Sequence, residues 1–563
     1  MKIGTSASAT GIVYERQLKL VVSRVGLLIA IFFVGLQIGC SDAAPPPASA
    51  VIACAQISPK PAAQLSGALP YYDAAVAQLL DTDTSHPTSN IDGDIVWGTR
   101  YYMESLLLAY QTTGDLKYIS SFIDTGTTVL GLAQTLQVPD VPDPSSLDPE
   151  HAAAAPQRTV TGWPTHIGTL GQLIPIPTAT GEISMYAQTL WPRPTGTAGY
   201  LSISASSSGG VVLNFELGNN VWQSYTATTV DNLNSIASEP VVYGGTLGRI
   251  IPTGLGLPSP GLYALDSPLQ AIWHGEQTGG ILLPFARFLL LAKEQPFIAD
   301  PNTVAAWQNQ VLAIAHSYED EFVPDGQGGL VLTNAYWMPS PYAGLPVETD
   351  YINAEISLRL LLGVLTSDPH ETGLARGLFV HEMSKIPISS SGWLLIKESA
   401  DAPSWSQQQE APYGSIWASY KGDITTPEST TEGGFFVEAL QIASDYGLAQ
   451  QIGLTQSVCD SEAATFQQYL RIPAPGVGNS LIRAGYPTAT SQASDTPVPS
   501  NDPEDAARYV QPITQDPSFV CDNWNWMLKS GITRDEGVGH VLLGWARSEA
   551  AWQQLSPGQC TSQ

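Results

Sequence analysis

The chain has 563 residues, and its 51 acidic residues against 23 Lys and Arg give a formal net charge of -28. Because 43% of the residues are hydrophobic and only 13% are charged, the composition excludes disorder over most of the chain. The length excludes a single small core, and the acidity removes the positive field that draws proteins onto nucleic acid. We therefore expect a folded protein without a nucleic-acid partner.

The amino terminus has the layout of an export signal. Three cations precede an uncharged apolar run at residues 25–36: Arg16, Lys19 and Arg24. The run is shorter than a membrane span, and Gly39 and Cys40 follow it closely. A small residue before Cys resembles the lipobox of bacterial lipoproteins, although Gln37 stands where that motif usually has Leu. We expect residues 1–39 to be a lipoprotein-type signal peptide and Cys40 to carry lipid; plain cleavage nearby is the alternative.

Residues 40–70 are predicted to be a tether. The stretch AAPPPASA at 43–50 is rich in Pro and Ala, which favours a flexible or semi-extended chain. Ser41 directly after the Cys resembles lipoproteins that are sorted to the outer membrane. We expect an exported protein of the cell envelope, an outer-membrane or periplasm-facing lipoprotein. It would contact the membrane through its anchor alone, as a monomer or a small homo-oligomer.

Four cysteines remain once the lipidation candidate is set aside: Cys54, Cys459, Cys521 and Cys560. An even number in an oxidising compartment predicts disulfide bonds, and three pairings are possible. Proximity to the chain termini favours Cys54 with Cys560, and Cys459 with Cys521. A metal site is the weaker alternative because no two of the four have the spacing of metal ligands, and we expect neither metal nor cofactor.

From Tyr71 onward, apolar residues recur at helical spacing in paired segments. The first pair lies within 97–130, where Thr113-Gly114-Asp115 breaks the helical pattern. Further segments have the same pattern: 278–294 with 303–322, 351–365 with 371–385, 432–446 with 462–470, and a last helix at 538–552. We predict repeated helix–turn–helix units.

Between the first pair and the others the pattern changes. Residues 181–251 contain short β-type runs separated by Gly, Asn and Ser, which predicts a small antiparallel β insertion. The segment before it is rich in Pro and Asp, which predicts an irregular loop over 138–180. We predict a mainly α fold, an (α/α) toroid of helix hairpins with this insertion. Its helical parts would be residues 71–137 and 252–563.

Aromatic and ionisable residues cluster at the start of each helical unit. The clusters are Trp97, Arg100, Tyr101, Tyr102 and Glu104; Trp273, His274, Glu276 and Gln277; Glu348, Asp350, Tyr351 and Asn353; Trp417, Tyr420, Glu428 and Glu432; and Trp524, Trp526, Asp535, Glu536 and His540. In a ring of hairpins these starts share one face, so we expect them to converge on one pocket. Helix capping is the alternative for the acidic members.

Four stretches carry a resemblance to a known family. They are W-G-x-R-Y-Y with L-L-x-A-Y-x-x-T-G-D-x-K-Y at 97–118, TGGILLPFARFLLL at 278–291, GLPVETDYINAEISLRLLLGVL at 344–365 and TEGGFFVEALQIASDYGL at 431–448. Together they resemble bacterial α/α-toroid proteins grouped with the carboxy-terminal domain of D-glucuronyl C5-epimerases, which are similar in architecture to six-hairpin glycosidases. Related toroids have an acidic-Ser-His string before the fourth unit, where this chain has Glu428-Ser429-Thr430.

The resemblance implies action on a polysaccharide, with removal of the C5 proton of a uronic acid. That reaction needs proton-transfer groups and donors or cations for the enolate-like charge. The candidates for catalysis are Tyr101, His274, Glu276, Tyr420 and Glu432. The candidates for substrate binding are Trp97, Arg100 as a carboxylate clamp, Tyr102, Trp273, Glu348, Asp350, Asn353 and Trp417.

Other functions stay open at the level of the sequence. A lyase would use the same carbanion as an epimerase, whereas a glycoside hydrolase would need two carboxyl groups at a defined separation. The strong negative charge repels a polyuronate unless the cleft is locally basic, which favours a neutral glycan as the alternative substrate. A non-catalytic glycan-binding lipoprotein is the alternative that is not an enzyme; clustered acids around one cavity would favour an enzyme over it.

We predict that the mature chain begins at Cys40 with attached lipid, because the apolar run and the Gly-Cys-Ser sequence match an export and lipidation signal. Mass spectrometry of the amino-terminal peptide from the exported protein measures this directly. An unmodified terminus downstream of Cys40 would contradict the prediction.

Overall fold

The computed structural model describes the chain between Leu69 and Leu555. Within these limits it describes all residues except 92, 141–155, 169–172, 190–198, 218–219, 238–247, 266–268, 273–274, 336–343, 345, 398–426, 473–480, 498, 500–504, 510–516 and 532–536. The signal and lipidation predictions therefore lie outside the described residues. No helix in the described part is both long enough and apolar enough to cross a membrane.

The α-helices of the described residues overlap every segment where the periodicity predicted a helix, and some of them lie outside those segments. They are α1 Pro70–Leu79, α2 Thr82–Ser85, α3 Arg100–Thr113, α4 Leu116–Gly131, α5 Val230–Ala237, α6 Gly275–Glu294, α7 Pro301–His316, α8 Thr349–Thr366, α9 Pro369–Lys385, α10 Thr430–Asp445, α11 Ala449–Ile452, α12 Gln456–Thr465, α13 Asp505–Arg508, α14 Pro517–Ser530 and α15 Val538–Gln553. One-turn π-helices precede α3 at Ile95–Thr99 and follow α12 at Phe466–Leu470.

Local chemistry explains where these helices begin and end. Gly114 ends α3 in the left-handed region at φ 72°, which a glycine adopts without strain. The Asp115 carboxylate then accepts the backbone N–H of Lys117 at 2.9 Å and caps α4. Ser429 caps α10 by accepting the backbone N–H of Glu432 at 3.1 Å. The Thr-Gly-Asp sequence therefore marks a tight turn between two helices.

Six helices follow one another in a cycle of direct contacts. α3 packs on α6, α6 on α8, α8 on α10, α10 on α13, α13 on α15, and α15 packs back on α3. Neighbouring helices cover several of them from outside the cycle, namely α4 on α3, α7 on α6, α9 on α8 and α14 on α15. The apolar faces of these helices form one large buried core. The cycle brings helix starts that are far apart in sequence to one place.

The strands among the described residues pair in five antiparallel sheets. They are β1 Gln134–Pro139, β2 Gln157–Gly162, β3 Thr165–Gly168, β4 Ile174–Pro177, β5 Ile183–Thr189, β6 Gly199–Ala205, β7 Val211–Leu217, β8 Asn220–Ala227, β9 Gly248–Pro252, β10 Gly261–Leu265, β11 Leu269–Ile272, β12 Phe322–Pro324 and β13 Leu330–Leu332. The sheet orders are β1–β2, β10–β6–β7–β8, β11–β3, β12–β13 and β4–β5–β9.

The three-stranded and the four-stranded sheet share a second apolar core. Ile176 and Met185 contribute from the smaller sheet, and Leu201, Leu213 and Phe215 contribute from the larger one. Leu201 lies opposite Phe215 in the register of β6 and β7, so both side chains point to the same face. The two sheets therefore pack face to face around a core that is distinct from that of the helices.

The prediction of a mainly α toroid with a small β insertion was wrong. The strands extend from Gln134 to Leu332, well beyond the predicted insertion at 181–251, and the protein is a mixed α and β protein. Strands β2, β3 and β4 lie within 138–180, where a loop was predicted. They were missed because they are short and contain Thr or Pro, which suit a loop equally well, and because β3 pairs with a strand about one hundred residues later.

Two of the cysteines lie on described helices. Cys459 in α12 and Cys521 in α14 are buried, and both are disulfide-bonded. The cysteines at 40, 54 and 560 lie outside the described residues. The predicted pairing of Cys54 with Cys560 and of Cys459 with Cys521 therefore stays a prediction, as does the lipidation of Cys40.

A buried carboxyl group makes stability depend on pH. Glu382 in α9 is fully buried, and its carboxyl accepts a hydrogen bond from the Asn353 side-chain nitrogen at 2.8 Å. Burial raises the pKa of Glu382 from 4.5 to about 8, so the folded state keeps its proton at a pH where the unfolded chain has lost it. The free energy of unfolding therefore falls as the pH rises from about 4.5 to about 8.

We predict that Glu382→Gln flattens this dependence, because the amide replaces the protonated carboxyl and never ionises. The difference from the parent chain is about 1.4 kcal/mol for each pH unit between the two pKa values. Urea unfolding at pH values across this range measures it, with the exposed Glu294→Gln as the matched control. Equal slopes in the parent and in Glu382→Gln would contradict the prediction.

Candidate functional site

The starts of α10 and α15 and the first turn of α3 border an open pocket of about 400 Å³. Its lining residues come from three stretches that are far apart in sequence: Trp97 and Tyr101; Thr431, Glu432 and Phe435; and Gly537 and His540. The pocket thus combines aromatic rings with a phenol, a carboxylate and an imidazole. It is the candidate functional site.

A close backbone approach builds one wall of the pocket. Trp97 lies in the π-helical turn before α3, a conformation that is frequent at functional sites, and its indole packs edge-on against Tyr351 at 5.7 Å between ring centroids. A Cβ atom at Gly539 would lie 1.9 Å from the Gly98 carbonyl oxygen. Only glycine permits this approach of α15. The approach brings the imidazole of His540, the next residue, against the α3 wall.

Tyr101 and Arg100 form a buried pair at the floor of the pocket. The Arg100 Nη2 donates a hydrogen bond to the Tyr101 phenol oxygen at 2.6 Å, and both side chains are almost fully buried. The guanidinium carbon also lies 4.6 Å from the ring centroid of Phe435. A Cβ atom at Gly280 would lie 2.1 Å from Arg100 Nη1, so the absence of a side chain in α6 makes room for the cation.

A second guanidinium approaches from α13. Arg508 Nη2 lies 2.9 Å from His540 Nδ1, and the His540 ring lies 3.8 Å from the Tyr101 ring between centroids. Burial, reinforced by the positive charges of Arg508 and Arg100, holds the pKa of His540 well below its usual value. His540 is therefore neutral at physiological pH.

Carboxyl groups converge on the opposite wall. The Ser429 hydroxyl donates to the Glu432 carboxylate at 3.0 Å, so Glu432 takes part in a helix cap and also lines the pocket. Glu428 is 1% exposed and accepts the backbone N–H of Ser429 at 2.8 Å. Burial and the negative charges of Asp350 and Glu432 raise the pKa of Glu428 well above its usual value. Glu428 is thus a neutral carboxylic acid beside the partly exposed Glu432.

Beneath the pocket lies a layer of charged side chains. Its cations are Arg100 and Arg508, which are buried, and Arg287 and Arg547, which are partly exposed; its carboxyl groups are the buried Glu104 and Glu438. Burial alone would raise the pKa of Glu438, but the four guanidinium groups outweigh it and lower that pKa. Glu104 shows the opposite result, since burial and the neighbouring Glu438 charge raise its pKa. The layer is net positive in an otherwise acidic protein.

A separate ionisable cluster has the composition of a metal site. His316, Glu319 and Glu371 offer ligand atoms within 4.8 Å of one another. The Arg359 guanidinium, however, donates to Glu319 at 3.0 Å and to Glu371 at 2.9 Å. A fixed cation already lies between these carboxylates and donates to both, so the arrangement is that of an ion-pair network.

The structure brings several of the predicted site residues together. Trp97, Tyr101 and Glu432 line the pocket, and Arg100 lies directly behind Tyr101. Asp350 is buried and acts electrostatically on Glu428 without lining the pocket.

Other predicted residues lie elsewhere. Tyr102 is buried in the helical core, where burial raises its pKa to about 12. Asn353 donates to the Thr349 carbonyl and to Glu382, away from the pocket. Glu348 occupies the position before α8 without a side-chain capping bond.

The remaining predicted site residues fall on the part of the chain that the structure does not describe. Trp273, His274, Trp417 and Tyr420 lie outside the described residues, as does the side chain of Glu276.

Arg508 and Phe435 are among the contributors to the site that were absent from the predicted set. Arg508 lies on a four-residue helix whose sequence carries no motif, and Phe435 reads as an ordinary core residue. His540 belonged to the last cluster of the sequence but was not selected among the candidates for catalysis. The sequence feature that could have indicated a close contact here is the Gly433-Gly434 pair in α10. A Cβ atom at Gly434 would lie 2.9 Å from Arg508 Cδ.

Comparison with known proteins identifies no relative. No protein-family model, no curated protein and no solved structure matches the chain. The geometry of the pocket is therefore the ground on which a function is proposed.

We predict that Gly539→Ala destabilises the protein by about 1–3 kcal/mol, because the added Cβ must displace the Gly98 carbonyl and separate α15 from the π-helical turn. Gly373→Ala in α9 is the matched control, since a Cβ there meets no atom within 4 Å. The control should gain about 0.5–1 kcal/mol from helix propensity. Urea unfolding measures both variants, and equal stabilities would refute the tight contact.

Proposed function

We propose that the chain is a carbohydrate-active enzyme that removes the C5 proton of a uronic acid residue in a polysaccharide, as an epimerase or a lyase does. One observation carries the proposal: a phenol, a carboxylate and an imidazole from distant segments line a single pocket, at Tyr101, Glu432 and His540. Helix capping accounts for Glu432 alone, because aromatic rings gain nothing from a helix dipole. Convergent proton-transfer groups in a concave site favour an enzyme.

Glu432 is the proposed base. Its carboxylate is partly exposed and lines the pocket, and the hydrogen bond from Ser429 fixes one of its oxygens while other lone pairs remain for substrate. A carboxylate held in this way is suited to accept the C5 proton.

Tyr101 is the proposed acid. A guanidinium only donates, so the phenol oxygen accepts from Arg100 and its own proton remains to be donated. In a lyase this proton would go to the leaving glycosidic oxygen. In an epimerase it would go to the opposite face of C5.

The guanidinium groups near the pocket can attract an acidic sugar although the protein as a whole is negatively charged. Four guanidinium groups lie beneath the pocket against two carboxyl groups, so this layer supplies fixed positive charge on one side of the pocket in a protein of net charge -28. Charge that develops on the sugar carboxylate during proton removal would be stabilised by such fixed cations in a site of low dielectric. Trp97 and Phe435 offer flat apolar faces for the sugar ring.

Glycoside hydrolysis is the second candidate. The observation that favours it is the protonated state of Glu428, which a general acid requires. The Glu428 side chain, however, is almost fully buried and does not line the pocket, so it is not placed to protonate a leaving glycosidic oxygen there. Proton abstraction is therefore the preferred reaction.

The proposed setting is the cell envelope. The cationic and apolar segments before Cys40 support export and anchoring. The enzyme would then meet its polysaccharide outside the cytoplasm, as a monomer or a small homo-oligomer.

We predict that Glu432→Gln and Tyr101→Phe each lower turnover of a uronate-containing glycan by about 10²–10⁴-fold. Ultraviolet absorbance of unsaturated uronates reports a lyase, deuterium uptake at C5 from heavy water reports an epimerase, and new reducing ends on a neutral glycan report a hydrolase. The exposed Glu182→Gln and Tyr446→Phe serve as controls. Unchanged turnover in both site variants would remove these residues from the mechanism, and binding without turnover in the parent chain would leave a glycan-binding protein.

A further inference from the structure

We propose that Arg508 is a positioning residue that holds His540 with its proton on Nε2, so that the imidazole donates a hydrogen bond to substrate and does not act as a base. The role toward substrate rests on the proposed function, whereas the state of the ring is a property of the protein alone.

The direction of one hydrogen bond carries the inference. Arg508 Nη2 lies 2.9 Å from His540 Nδ1. A guanidinium has five N–H donors and no acceptor, so Nδ1 must supply the lone pair. A neutral imidazole carries a single ring proton, which is then on Nε2. Both basic positions of the ring are occupied as long as Arg508 stays in place.

Packing keeps Arg508 in place. Its side chain is 6% exposed, and its guanidinium carbon lies 5.1 Å from the Tyr101 ring centroid and 5.2 Å from that of Phe435. The missing side chain at Gly434 leaves the space that the Arg508 chain fills. The Arg508 charge helps to lower the pKa of Glu438, and this electrostatic attraction offsets part of the cost of burying the cation.

The surroundings of His540 also oppose a second proton on the ring. The charged and titratable groups that face it are Arg508 from α13, Arg100 and Tyr101 from α3, Arg547 from its own helix α15, and Glu432 across the pocket. Three of the five are fixed cations, and together with burial they keep the pKa of His540 low. Among the described lining residues, Glu432 is then the group that accepts a proton, while Tyr101 and His540 both donate.

This assignment changes the expected chemistry of the site. A pocket with one base and two neutral donors can take a proton from one face of the sugar and hold the resulting negative charge with its donors. The Nε2–H of His540 would face an oxygen of a carboxylate-bearing sugar. Without Arg508, the imidazole would be free to adopt the other tautomer or to become a cation.

Nitrogen NMR of the full chain, labelled with ¹⁵N at histidine, tests the positioning without any substrate. His540→Asn identifies the ring signals of His540. We expect the neutral Nε2–H tautomer, with shifts that stay constant from about pH 5.5 to about pH 8. An Nδ1–H tautomer, or an imidazolium that titrates in this range, would overturn the proposal.

Arg508→Gln supplies the second test. Loss of the guanidinium should let the ring titrate toward its ordinary pKa of about 6.5 and mix its tautomers. Arg483→Gln is the control, because Arg483 is a buried arginine that donates to the backbone carbonyls of Tyr469 and Asp495. An Arg508→Gln chain that keeps the parent shifts of His540 would overturn the positioning role.

Activity separates this proposal from the proposed function. If both hold, Arg508→Gln lowers kcat for a uronate-containing glycan by about tenfold to a hundredfold. The expected tautomer in a parent chain that turns over no glycan would support the positioning and refute the proposed function. Full activity in Arg508→Gln, despite a titrating His540, would refute the role of the ring as a donor.

Discussion

Burial of positive charge at the centre of the helices is the constraint on which the site depends. A guanidinium taken out of water costs several kcal/mol unless carboxylates, hydrogen-bond acceptors and aromatic faces surround it. Here Arg287 pairs with Glu438, Arg547 lies 3.8 Å from Glu104, and aromatic rings cover Arg100 and Arg508. Glycines in the adjacent helices leave room for two of these cations: Gly280 lies against Arg100 and Gly434 lies against Arg508. The pocket is the outer end of this charged interior.

The helices could be predicted from the sequence because their signals are local. Apolar spacing, Asp and Ser caps and the left-handed Gly114 all act within a few residues. The strands could not be predicted to the same extent, because several of them depend on distant partners. β3 pairs with β11, about one hundred residues later, and β4 contains two prolines, which suit an edge strand but read as loop. The error in fold class follows from this difference between local and long-range structure.

The residues of the site show the same difference between local and long-range signals. Trp97, Tyr101 and Glu432 could be selected because aromatic and ionisable residues at helix starts form a visible pattern. Tyr102 belongs to the same cluster of aromatic and ionisable residues, but it is one position further along the helix, and its side chain therefore points into the core. Arg508 gives no signal, since its role arises from the cycle that brings α13 between α10 and α15. Residue type and spacing indicate chemistry; the packing of distant elements decides which residues meet.

The pairing of β3 with β11 has a consequence for how the chain folds. This two-stranded ribbon joins the entry and the exit of the region that contains both larger sheets, and Trp163 beside it donates its indole N–H to the Val129 carbonyl of α4 at 2.7 Å. In polymer terms the ribbon closes a long loop at its base, and because the closure cost grows only with the logarithm of loop length, the length of the loop adds little to this cost. The helices that form the pocket can then assemble around a closed base while the sandwich orders on its own core. The sandwich can likewise open locally without moving α4 and α6, between which its chain is inserted.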